Sequence, residues 1–110
     1  MINVRVDDRE VHASTLDVIT SGSVGLPVKF RFSDEWTGLT KTALFRNGDT
    51  TADVTLDSNT CAVPATVLVN PGKDLWIGVY GTDSGGNVAI PTVWGKAGHV
   101  HDGVTPVEAT

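Results

Sequence analysis

Apolar and polar positions alternate with period two through most of this chain, the spacing that turns one face of a β-strand to a core and the other to water. Ile2, Val4 and Val6 interleave with Asn3, Arg5 and Asp7, and Asp7-Asp8 turns the chain. Leu16 and Val18 form a second apolar pair ahead of Ser21-Gly22-Ser23, with Val11 and Ala13 as a backward extension of that strand. After Gly25-Leu26-Pro27 the cleanest strand follows, with Val28, Phe30 and Phe32 facing one way and Lys29 and Arg31 the other. The stretch from Ser33 to Asp49 is the most decided. Trp36 buries on the order of 200 Å² and is expected to plug one end of a core, with Gly38 letting backbone pass close to its ring. Leu39, Ala43 and Phe45 share the inward parity, which leaves Leu44 on the wetter face, where a neighbour can reach it. Asn47-Gly48 supplies two residues tolerant of positive φ for a tight hairpin.

Ala52, Val54 and Leu56 alternate next, and Asp57-Ser58-Asn59 is expected to turn through side chains that bond their own backbone. Cys61 and Val63 begin a run that Pro64 interrupts. Residues 65–69 read either as a turn of helix or as a further extended piece, and Pro64 suits a helical first turn. Beyond Asn70-Pro71-Gly72, Leu75, Ile77 and Val79 point inward while Trp76, Gly78 and Tyr80 take the other face. Ser84 to Asn87 is a hairpin loop. Val88 to Trp94 returns with Val88 and Ile90 inward, and Pro91 marks an edge because it cannot donate to a ladder. From Gly95 the periodicity fades. The expectation is an all-β, antiparallel sandwich of seven to eight strands over residues 1–95, followed by an extended tail or linker over residues 96–110.

Composition narrows the function more than the fold. A length of 110 residues suits one domain. A net charge of −5 with eight scattered Lys and Arg residues argues against a nucleic-acid partner. No apolar run is long enough to span a membrane, and the start, Met-Ile-Asn-Val-Arg-Val-Asp-Asp, carries no secretion signal. The single Cys61 forms no internal disulfide and reads as a small buried hydrophobe.

Little in the chain is arranged for catalysis. His99-x-His101-Asp102 has the alternation of metal ligands on one strand face, but its glycine-flanked setting favours a solvated tail. Asp7-Asp8 and Asp34-Glu35 sit at turns, where neighbours point to opposite faces. No serine elbow or phosphate-binding glycine loop is present. The expectation is no enzyme activity, no cofactor and no metal. Trp76, Tyr80 and Trp94 are the notable set: on the assigned parity they are covered within the chain, seated against another subunit, or a platform for sugar rings.

Four segments carry a resemblance: Phe30-x-Phe32-Ser33-Asp34-Glu35-Trp36-x-Gly38-Leu39-x-Lys41-x-Ala43-x-Phe45, Cys61-x-Val63-Pro64 with Val67-Leu68, Gly78-Val79-Tyr80-Gly81, and Pro91-Thr92-x-Trp94. In this order they resemble a small immunoglobulin-like module at the amino-terminal end of tailed-bacteriophage virion proteins, of the baseplate upper protein, tail fibre or head fibre type. The resemblance implies a structural virion component assembled in the host bacterial cytoplasm. Its partners would be other virion proteins of capsid or tail, in symmetric copies or a homo-oligomer, with a host glycan as the alternative. The resemblance specifies no contact residues; from the outward parity and the segment after Gly95, the side chains expected to make such contacts are Leu44, Trp76, Tyr80, Trp94, His99 and His101.

Overall fold

In the computed structural model, which describes residues 1–104, the alternating segments form two stacked sheets. Strands β1 (Ile2–Asp7), β2 (Glu10–Thr15), β3 (Pro27–Phe32) and β6 (Thr60–Ala62) make a four-stranded sheet in the order β2-β1-β3-β6. Strands β4 (Thr40–Asn47), β5 (Thr50–Thr55), β7 (Asp74–Thr82), β8 (Val88–Pro91) and β9 (Gly95–His99) make the second. In that sheet β5, β4 and β7 lie side by side, and β8 and β9 pair in turn with the two ends of β7. The protein is therefore an all-β sandwich, with nine strands among the described residues. All described strand pairs are antiparallel except β1 with β3. No helix among the described residues is long and apolar enough to cross a membrane.

The inner faces meet in one core. Ile2, Val4, Val6, Val28 and Phe30 from one sheet pack with Ala43, Phe45, Leu75, Ile77 and Val79 from the other. Residues 65–68 form a 3₁₀ turn that drops Val67 and Leu68 into this core; Pro64 stands just before the turn rather than in it, and its carbonyl accepts from the Val67 amide. Trp36 ends a second 3₁₀ turn, Asp34–Trp36, and is 0% exposed. Its indole Nε1 donates to the Asp8 carbonyl at 2.9 Å, and its ring lies 5.1 Å from that of Phe32.

Several expectations are corrected. The segment from Gly95, read as tail, begins with β9, which pairs along β7 from Asp74 to Ile77. Gly95 and Gly98 show no alternation because neither has a side chain, yet a Cβ on Gly95 would meet the Val11 carbonyl oxygen at 2.6 Å. The chain then continues through Val100, which is 0% exposed, and a bridge between Thr20 and His101. The rest of the expected tail, residues 105–110, lies outside the described residues.

Leu16 and Val18 are exposed rather than in a strand. The Thr15 hydroxyl accepts from the Asp17 amide at 3.0 Å and curls the chain off β2, so that Ile19 is the residue that enters the core. Val88 is also exposed, because the β7–β8 register shifts beside Gly81 and breaks the alternation. Asn47 is a strand residue paired with Thr50, so the hairpin loop is Gly48-Asp49, with only Gly48 at positive φ. In the next turn Ser58 and Asn59 both take positive φ, and the Thr60 amide and hydroxyl both donate to the Asp57 carbonyl. Gly38 meets no neighbour; Gly81 is the residue that lets the Trp36 ring approach, at 3.1 Å from an added Cβ.

Candidate functional site

The outer face of the five-stranded sheet carries an aromatic band. On β7, Leu75, Ile77 and Val79 are buried, which turns Trp76, Gly78 and Tyr80 outward. Register places Arg46 beside Trp76, Leu44 beside Gly78 and Thr42 beside Tyr80. Trp94, in the link from β8 to β9, lays its ring on Gly78: a Cβ there would sit 3.3, 3.4 and 3.6 Å from three ring atoms. The Arg46 guanidinium lies over the same ring, 4.6 Å from its centroid. At an exposed site such a contact contributes about 0.5–1 kcal/mol.

Leu44, Trp76, Tyr80 and Trp94 lie on this outer face, and each is half-buried. Rings two residues apart on a strand stand about 7 Å from one another. Trp94 fills the gap that Gly78 leaves between Trp76 and Tyr80. The β8–β9 link thus covers part of the band and leaves the remainder open.

His99 continues the same face one step past Trp76. It pairs in register with Asp74, and its Nδ1 lies 3.3 Å from Asp74 Oδ1. The His101 ring meets that of His99 edge-on, with centroids 5.1 Å apart. Both histidines are exposed, and among the described residues no three metal-ligating side chains converge. The carboxylate beside His99 comes from Asp74 on the neighbouring strand, not from Asp102 next in sequence.

Two contributors were passed over by sequence reading. Arg46 shares the parity of Leu44, and Gly78 sits between two outward aromatics; that pairing of small with large was the available signal. Of the other candidate groups, Arg9 lies 3.2 Å from Asp8 Oδ1, and the Glu35 carboxyl is held below its ordinary pKa chiefly by a hydrogen bond from Ser33. Cys61 is half-buried, and desolvation pushes its thiol up to about 11.

The band offers ring faces, aliphatic carbon and one guanidinium, a surface suited to packing against another molecule. No family model, curated protein or solved structure matches this chain.

Proposed function

We propose that this chain is a non-enzymatic structural module of a bacteriophage virion, docking on other virion proteins or on copies of itself. The observation that carries the reading is the open part of the aromatic band, Trp76 and Tyr80 with Leu44, on a rigid sheet face. Trp and Tyr are the side chains enriched at the centres of protein interfaces, because they bury much area at little entropic cost. The four ordered segments that resemble phage virion modules support the same reading.

Sedimentation velocity across a wide concentration range tests it. The expected result is a multimer, or a complex when a virion protein of the same particle is added, that Trp76→Ala disperses. A strictly monomeric chain that captures no virion protein would overturn the proposal. The alternative is a host-glycan platform on the same rings. Trp94 already has backbone against it and a guanidinium over it, so a sugar would have to stack on Trp76 and Tyr80 alone. Calorimetric titration with glycans, which is expected to give no heat of binding, separates the two readings.

A further inference from the structure

The opposite side of the sandwich carries a feature that docking by the aromatic band does not use. On the outer face of the four-stranded sheet, Arg5 stands between Arg31 on one side and His12 on the other. In the adjacent row Asn3 stands between Lys29 and Ser14. These six line a surface depression of about 330 Å³ to which no carboxylate contributes. Neighbouring strands are about 4.8 Å apart, so the two arginines rise from the sheet side by side.

Folding alone gives no reason for this arrangement. Like charges directly opposite on paired strands destabilise a sheet. Yet in a chain of net charge −5, three of the eight Lys and Arg residues share this one face. Asp7 lies 2.9 Å from Arg5 Nε, and Glu10 lies 3.4 Å from His12 Nε2, both at the β1–β2 hairpin end. Among the described residues Lys29 and Arg31 have no carboxylate within 4.0 Å. Their charge is left for a group from outside.

We propose that this face is an oxyanion site for a phosphate-bearing small molecule, gripped by Arg5, Arg31 and Lys29 and flanked by the polar side chains of Asn3, Ser14 and His12. Guanidinium forks match the oxygens of a phosphate group, two donors to two acceptors, and Lys29 adds a point charge. At about 330 Å³ the depression has room for more than one phosphate group, which favours a diphosphate over a single one. The acidic remainder of the surface repels a long polyanion, so the ligand is a compact one.

The test is an amide NMR titration of the whole chain with orthophosphate and with pyrophosphate, against sodium chloride at matched ionic strength. Saturable movement of the Arg5, His12, Lys29 and Arg31 signals is expected, with pyrophosphate saturating at or below the order of 1 mM and ahead of orthophosphate. Arg31→Gln should weaken pyrophosphate binding about tenfold, while Lys73→Gln leaves it unchanged. The dispersion of the Arg31→Gln spectrum reports that the variant is folded. Identical shifts in chloride alone, or wild-type affinity in folded Arg31→Gln, would overturn the site.

Discussion

Trp36 is fixed by shape and by one hydrogen bond, and the two are separable. Replacing it with Ala empties a wholly buried site and should cost about 3–5 kcal/mol in chemical denaturation. Trp36→Phe retains most of the apolar contact but leaves the Asp8 carbonyl without its donor, so a smaller loss is expected. Gly81→Ala tests the same corner from the other side, since its Cβ would sit 2.8 Å from Leu39 and 3.1 Å from the Trp36 ring. About 1–3 kcal/mol of overpacking strain should follow. Cys61 gives a pH-dependent counterpart. Burial lifts its thiol from 9.0 to about 11, so the unfolded chain ionises first, and stability falls as pH rises through that window. At pH 8 the folded thiol has roughly a hundredth of the thiolate of an exposed one, partly offset by its greater nucleophilicity. Alkylation followed by mass spectrometry should run about tenfold slower in the native state than in denaturant.

At the scale of elements, β9 shows how a strand forms without an apolar stripe of its own. It is held by ladder bonds to β7, by the fit of Gly95 under Val11, and by the anchoring of Val100 and His101 beyond it. The Val100 amide donates to the Lys73 carbonyl and the His101 amide to the Ile19 carbonyl, each within 2.9 Å. Gly95→Ala drives a methyl into the Val11 carbonyl, and a backbone oxygen cannot swing aside as a side chain can. Hydrogen exchange should then quicken across residues 95–101 and along the facing half of β7, while β1 and β3 keep their protection. Uniform destabilisation of both sheets would show instead that β9 unfolds only with the whole sandwich. The β4–β5 hairpin has a similar dependence. The Asn47 amide donates to the carbonyls of Val67 and Asn70, so a residue expected to make the turn instead ties the sheet to the 3₁₀ segment.

For the whole molecule, the sandwich separates two surfaces of different chemistry on opposite outer faces. One is an aromatic band proposed to dock on protein, the other a basic dish proposed to bind phosphate. Assembly through the band buries Trp76 and Tyr80 and should be sensitive to Trp76→Ala. Because apolar contact dominates there, it should persist in moderate salt. Sedimentation at low and high ionic strength distinguishes this from association through charge, which salt would abolish.

The strands that alternate strongly, β1, β3, β4 and β7, and the plug at Trp36 were written in the residues themselves, because burying every second side chain requires an apolar residue at every second position. The outward set of Leu44, Trp76 and Tyr80 followed from the same parity. What the chain order could not disclose is which separated segments meet. The seat of Trp94 on Gly78, the pairing of β9, the partnership of His99 with Asp74 and the row of Arg5 with Arg31 all depend on register between strands. Within a hairpin the tight turn fixes register locally, but β1 with β3 and β7 with β9 are not joined by one, so their pairing is decided by packing between segments that no short turn connects.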